Sequence, residues 1–303
     1  MSKKNEKRDF RNVLLNGFRD YLISVGRAES TWNSYCVASR DFMKYFSVIG
    51  VTDLKDLTQS DIRGYFEYLR NLREKFTNVY KIATINNKII GVNRMLDYCD
   101  LGYAKVTAIK CKRNGFVNDE VVLTTKEALE MLKGAKSKKK KRLYFALLIF
   151  FQTGIRVSEL KFFTVEAVKR GVISIYNKGS GRDLYIADDL RNDLLNYCAG
   201  MGITSGYIIR TCNKKCVDRS YIYREIKKLA DKLGIDPRKA YPHSFRHAFA
   251  NNFIERNGDD ERTLIDLSHI LGHSSLNITK MYLKTTVSKI RKMTSRETLK
   301  IAS

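Results

Sequence analysis

Proline is nearly absent: Pro237 and Pro242 are the only two in 303 residues. Proline locks φ and removes a backbone donor, so its scarcity argues against extended linkers and favours helices. Long apolar runs are missing too. The longest, Leu143 to Phe151, is far shorter than the roughly 20 residues a membrane-crossing helix needs, so no membrane role is expected. Cys36, Cys99, Cys111, Cys198, Cys212 and Cys216 are scattered without a pairing pattern. Cys212 and Cys216 form the one close pair, and with no second pair or neighbouring histidine a zinc site is not expected there. The opening MSKKNEKRDF lacks the apolar core of a signal peptide, which leads us to expect a reducing cytoplasm. Acidic residues are the scarce charge, 32 Asp and Glu against 56 Lys and Arg, for a formal net charge of +24. An excess of that size is hard to neutralise internally and calls for a polyanionic partner.

That charge is spread along the chain. Residues 1–116 hold 21 Lys and Arg against 12 Asp and Glu, and the remainder holds 35 against 20. A single basic tail would concentrate the excess. Two basic domains, which the length allows, suggest that both touch one polyanion, as a clamp would. In the first, Val13, Leu14, Phe18, Tyr21, Leu22 and Val25 recur at helical spacing. Ser30 or Thr31 offers an N-cap for a second helix with Trp32, Tyr35, Cys36, Phe42 and Phe46 as an inward stripe. A third helix is expected from Ser60. A fourth, from about Asn78 to Tyr98, carries Ile82, Ile85, Ile89, Val92, Met95 and Leu96 on one side. Together they read as an all-helical domain over residues 1–110. Periodicity then breaks, and residues 111–123 are expected to be a linker. Lys110, Lys112 and Arg113 could lie there along a phosphate backbone, although a solvated linker would look the same.

Residues 124–303 form the second expected domain. TTKEALEML opens with a capping-box pattern, Thr124 or Thr125 followed by Glu127. The charge run SKKKKR precedes the apolar YFALLIFF, a helix that stops at Thr153-Gly154. Arg156 just beyond a buried helix needs an anion or carboxylate partner, and Glu159 is near enough to be it. Val172–Tyr176 and Asp183–Ile186 flank NKGSG, so a β-hairpin is expected with Lys178 at its tip. Asp188 to Ala199 and Arg219 to Leu233 read as helices, and Tyr207–Arg210 as a short strand.

The last third, YPHSFRHAFANNFIERNGDDERTLIDLSHILGHSSLNITKMYL, concentrates the chemistry. His243 and Arg246 are spaced i, i+3 and share one helix face. His273 and Tyr282 follow, with LNIT between them as the start of a further short helix. Imidazoles, a permanent cation and a phenol in a very basic chain point to chemistry on a phosphate. His247 lies off the Arg246 face and reads as packing. His269, four residues before His273, reads as its helical neighbour in a structural role.

TGIRVSEL, the hairpin lysine in NKGSGRD, HSFRH, and LGH followed nine residues later by Tyr282 occur in that order. In this the chain resembles the tyrosine recombinases, the phage-integrase family of site-specific DNA recombinases, over essentially its whole length. The resemblance implies a mainly α fold with a small β-hairpin: an all-helical N-terminal core-binding domain and an α+β catalytic domain. It implies that Tyr282 attacks a scissile phosphate in duplex DNA to leave a 3′-phosphotyrosine. Arg156 and Arg246 would hold the non-bridging oxygens, His243 would be general base, Lys178 general acid, and His273 a second imidazole on the phosphate. Glu159 would orient the cluster. Preorganised donors of this kind are worth roughly 3–4 kcal/mol each, and the proton transfers typically about 10²–10⁴-fold.

No cofactor is expected. The sequence has no Gly-x4-Gly-Lys-Ser/Thr loop and no carboxylate cluster with metal spacing, and the covalent intermediate conserves bond energy without ATP or metal. After Tyr282, Val287, Ile290, Met293, Leu299 and Ile301 suggest an amphipathic tail helix. In the family such tails commonly dock on a neighbouring protomer, so a homotetramer on two double-stranded DNA sites is expected, nucleoid-associated when bound. Integration, excision, resolution and inversion all remain open. Two rivals remain: a type IB topoisomerase-like nicking-closing enzyme, which uses similar residues, and a non-cleaving DNA-binding accessory protein.

Overall fold

The computed structural model describes residues 3–50, 53–71, 80–110, 122–177, 180–273 and 275–283. Lys112, Arg113, Lys178 and the tail beyond Leu283 lie outside the described residues. The chain divides into two compact units, Met1–Arg113 and Asn114–Ser303, each with its own hydrophobic core.

In the first unit α1 (Lys3–Ser24), α2 (Glu29–Val48), α3 (Gln59–Asn71) and α4 (Ile82–Tyr98) enclose an aromatic-rich core. Cys36, Phe42 and Phe46 of α2 face inward with Ile85, Ile89, Val92, Met95 and Leu96 of α4. Several details differ from the sequence reading: in the first stripe Val13 and Tyr21 are exposed, and Val25 is exposed beyond the end of α1. α2 starts before Ser30, with Ala28 at its N-cap and Glu29 in the first turn, where a carboxylate suits the positive helix end. Ile82 is exposed because α4 begins at that residue, at the end of its apolar stripe. The segment after α4 is strapped to the helix by two asparagines. Asn86 accepts from Ile109 N–H at 2.8 Å and Asn93 donates to the Val106 carbonyl at 2.8 Å. Lys110, next along this strap, is exposed.

The second unit is built around α6 (Lys141–Thr153), whose Leu143, Ala146, Leu147, Ile149 and Phe150 are buried. A helix apolar on nearly all sides must be covered all round. It packs against α5 (Thr125–Ser137), α8 (Asp188–Gly200), α9 (Arg219–Lys232) and α10 (Pro242–Asn257). α5 carries the expected capping box: Thr124 Oγ1 accepts from Glu127 N–H, and Glu127 returns the bond to Thr124 N–H at 2.8 Å. A 3-10 turn (Val157–Phe162) and α7 (Val165–Arg170) lead into β1 (Val172–Asn177) and β2 (Ser180–Tyr185). The hairpin is antiparallel, in register from Val172↔Tyr185 to Asn177↔Ser180. Its strands therefore run further toward the turn than the period-2 pattern indicated. Tyr207–Arg210 is not a strand. It makes only isolated bridges, Thr164↔Tyr207 and Arg210↔Cys216. α11 (Glu261–Leu271), α12 (Leu276–Thr279) and a 3-10 turn (Lys280–Leu283) complete the described chain. Among the described residues no helix is long and apolar enough to cross a membrane.

Candidate active site

Two glycines set the site's geometry. Gly154 closes α6 and Gly272 closes α11, each in the left-handed region at φ +63° and +64°. Only a residue without Cβ adopts this cheaply. Space enforces the choice as well: a Cβ on Gly154 would meet Phe249 and Leu271, and one on Gly272 would meet the Arg182 guanidinium. The reversal at Gly154 delivers Arg156; the one at Gly272 delivers His273. It also ends α11, so His269 and His273 are not helical neighbours as expected. His269 stays exposed on the helix while His273 turns inward.

α10 begins with Pro242 in its first turn, capped by Ser244, whose hydroxyl accepts from Tyr241 N–H at 3.1 Å. It supplies His243, Arg246 and His247. Arg246 is 1% exposed, a cation in the interior. Its Nη1 donates to the Gly154 carbonyl and its Nη2 to the Leu271 carbonyl, both at 2.8 Å. Nη2 also lies 2.9 Å from His273 Nε2. Its Nε–H has no partner among the described residues. Burial, helped by the Arg156 charge, pulls the Arg246 pKa down to about 10, still far above neutrality.

Arginine only donates, so His273 Nε2 must accept from it. The proton of a neutral ring then sits on Nδ1, 2.8 Å from the hydroxyl of the fully buried Thr279. Burial and the Arg246 and Arg156 charges hold the His273 pKa down to about 4, which keeps the ring neutral. The same forces, with burial first, push His243 below the usual histidine range, although part of the residue is exposed.

Tyr282 is half-buried, its ring parallel to His273 at 6.0 Å between centroids and edge-on to His247 at 5.1 Å. His247 also meets His243 edge-on at 4.7 Å. It packs, as expected, here between the His243 and Tyr282 rings. Burial raises the Tyr282 pKa, and the charge and hydrogen bond of Arg246 offset this only in part. The phenol is therefore protonated at neutral pH.

Glu159 is wholly buried beneath Arg156. It accepts from Arg156 Nη1 and from Arg156 backbone N–H, each at 3.0 Å. Arg156 Nη2 also donates to the Gly272 carbonyl at 3.3 Å. Burial alone would raise the Glu159 pKa, but hydrogen bonds from Arg182 and Arg156 outweigh it and leave the carboxyl ionised, below its usual range. Beside this cluster an open cavity of about 990 Å³ is bordered by Arg156, Arg182, Phe249, Phe253, His269 and His273.

The described structure thus gathers Arg156, Glu159, His243, Arg246, His273 and Tyr282 around one centre. Three residues at this centre escaped the sequence reading as functional partners: Arg182, Thr279 and, in its position, His247. A signal existed for Arg182. It shares a strand face with the buried Leu184, and an inward arginine demands a carboxylate.

This arrangement of a buried arginine, neutral imidazoles and a protonated phenol defines a site for an anionic, phosphate-like group. The model of the phage integrase family matches residues 121–289, and the chain belongs to that family, the tyrosine recombinases. It is 26% identical to the tyrosine recombinase XerA of Pyrococcus furiosus, covering 97% of this chain and 96% of that protein. It is 24% identical to the tyrosine recombinase XerD of Shewanella oneidensis, covering 92% and 94%. Among solved structures it shares its fold with XerH bound to difH substrate in a pre-cleavage complex: TM-score 0.63, 19% identity, 87% of this chain and 79% of that one. A lambda integrase tetramer bound to a Holliday junction gives TM-score 0.64 at 18% identity, covering 87% and 77%.

Proposed function

We propose that the chain is a site-specific DNA recombinase, a DNA strand transferase that works through Tyr282. The observation that carries this reading is the phenol held between His273 and His247 beside the buried Arg246 cation. Oη of Tyr282 attacks the scissile phosphorus, forming the P–O bond to tyrosine and breaking the bond to the 5′-oxygen. The phenol proton passes to His243, whose lowered pKa leaves it neutral and able to accept. The departing 5′-oxygen takes a proton from Lys178. Arg156 and Arg246 stabilise the charge that builds on the non-bridging oxygens. The unpaired Nε–H of Arg246 supports this, because a buried donor without a partner calls for one. An arriving phosphate raises the His273 pKa, and once Arg246 Nη2 turns from the ring to the phosphate, Nε2 can carry a proton and donate to it as well. Glu159 orients Arg156.

One phosphodiester is exchanged for another of similar energy, so rejoining to a new 5′-hydroxyl runs without ATP, and the arginines supply the positive charge that a metal ion would otherwise bring. Residues 124–303 act as the catalytic domain. Residues 1–110 act as a core-binding domain, and Lys110, Lys112 and Arg113 in and beside the 111–123 linker touch phosphates of the same duplex. The basic charge of both parts supports this. The working assembly is a tetramer on two sites with tails exchanged between protomers. Deleting residues 287–303 then leaves single-site binding nearly intact but abolishes synapsis in gel-shift assays; unimpaired recombination would rule the exchange out.

The central test uses a duplex carrying the site selected from bound genomic fragments, nicked so that the fragment with the freed 5′-hydroxyl diffuses away. Wild-type protein should accumulate a covalent adduct and Tyr282→Phe none. An intact wild-type protein that forms no adduct sinks the proposal. Strand exchange between two such sites, beyond simple relaxation, separates recombination from nicking and closing.

A further inference from the structure

Glu159 holds two arginines at once, and the second lies outside the motif-derived set. Its Oε1 accepts from Arg156 Nη1 at 3.0 Å and from Arg182 Nη1 at 3.2 Å. Its Oε2 accepts from Arg182 Nη2 at 2.8 Å and from Arg156 backbone N–H at 3.0 Å. The two cations differ in setting. The Arg156 side chain is 40% exposed at the cavity edge, whereas that of Arg182 is 16% exposed on the inward face of β2. Arg182 also donates through Nε to the Ile270 carbonyl at 3.2 Å and lies against Gly272, the residue before His273. One side chain thus joins the hairpin that bears Lys178, the turn that bears Arg156 and the turn that bears His273.

We propose that Arg182 is a positioning residue: its charge neutralises the buried Glu159 carboxylate, leaving the Arg156 cation for the scissile phosphate. The proposal rests on the recombinase reading above. Two cations share one anion, so the group as a whole keeps a positive charge beside the site. Without Arg182, Glu159 would draw more of its compensation from Arg156, and a guanidinium drawn into a closed ion pair holds an approaching anion poorly. A buried carboxylate that loses one cationic partner also grips the other harder, because the alternative is a poorly compensated charge in a low-dielectric interior.

The test compares Arg182→Gln, Arg182→Lys and the double variant Glu159→Gln/Arg182→Gln on the nicked substrate, in single turnover at saturating protein, with melting curves as a fold control. Arg182→Gln should slow adduct formation by about 10²-fold, the low end for loss of one transition-state donor. Arg182→Lys keeps the charge while losing the fork and should stay within about threefold of wild type. The double variant, with no carboxylate left to compensate, should recover at least about tenfold over Arg182→Gln. A role in packing alone gives another order: Arg182→Lys as slow as Arg182→Gln, and the double variant slowest. Either of those results overturns the proposal. If Arg182→Gln does not fold, the other two decide: both must cleave within about tenfold of wild type, and slower cleavage by either rejects it. Wild-type protein that makes no adduct removes the recombinase reading itself, a failure seen independently of every variant.

Discussion

Replacing Thr279 by valine removes one hydroxyl and nearly nothing else, and the structure says what should follow. Thr279 is fully buried, and its Oγ1 is the partner of His273 Nδ1 at 2.8 Å. The other ring nitrogen faces Arg246 Nη2 at 2.9 Å, a group that can only donate. In Thr279→Val the ring must either keep its proton on Nδ1 with no acceptor or move it to Nε2 against a donor. Leaving such a group unsatisfied costs about 1–3 kcal/mol. For a unit of this size that lowers the melting temperature by about 2–4 °C per kcal/mol. Misplacement of the imidazole should also slow adduct formation by about tenfold, equivalent to roughly 1.4 kcal/mol of barrier. Thr279→Ser keeps the hydroxyl and should cleave close to the wild-type rate. Nitrogen-15 NMR of the histidine rings at neutral pH gives the direct readout. In the wild type, Nδ1 of His273 should be protonated and Nε2 bare. A protonated Nε2 in the free wild-type protein would refute the hydrogen-bond assignment, and with it the expected ranking of valine and serine.

Acid should destabilise the fold before the carboxylates titrate. His247 and His273 are held down to about 4 in the folded state, burial first among the causes, against about 6.5 when unfolded. Between those values the unfolded chain binds more protons, so stability falls as pH is lowered through that window, by up to about 1.4 kcal/mol per pH unit for each ring. Melting curves from pH 7 to 4.5 should show a steady decline that His247→Gln reduces; a flat profile contradicts it. Lys178→Met should lose cleavage of an ordinary substrate by about 10²–10⁴-fold yet regain most of it when the 5′-bridging oxygen is replaced by sulfur, whose thiolate leaves without a proton. No such rescue in the adduct assay would remove Lys178 from the role of acid.

Much of the fold could be read from local pattern. The stripe of α4 from Ile85 to Leu96, the Cys36, Phe42 and Phe46 face of α2, the Thr124–Glu127 capping box and the apolar run of α6 are local signals, and each formed where its spacing indicated. Element ends were less legible because tertiary pairing sets them. Ladder hydrogen bonds carry β1 to Asn177 and β2 back to Ser180, past residues that read as turn formers. Arg156 and Glu159 could be paired from a three-residue spacing. The bonds of Arg246 to Gly154 and Leu271, and of Arg182 to Glu159 and Ile270, join residues distant in the chain and required three dimensions. Thr279 looked like part of a short helix, and only the inward turn of His273 gave its hydroxyl a purpose.

The carbonyls that hold Arg246 belong to the ends of α6 and α11, where each helix macrodipole presents roughly half a negative charge. Peptide groups fix the direction of the guanidinium without carrying net charge of their own. They do not titrate, and side-chain substitution does not delete them. Arg246 therefore keeps its positive charge at neutral pH, with its rotamer already chosen. On the proposed reading, recognition of the phosphate at this position depends on the placement of two helix ends, so substitutions at Gly154 or Gly272 should weaken it much as substitutions of the arginine do.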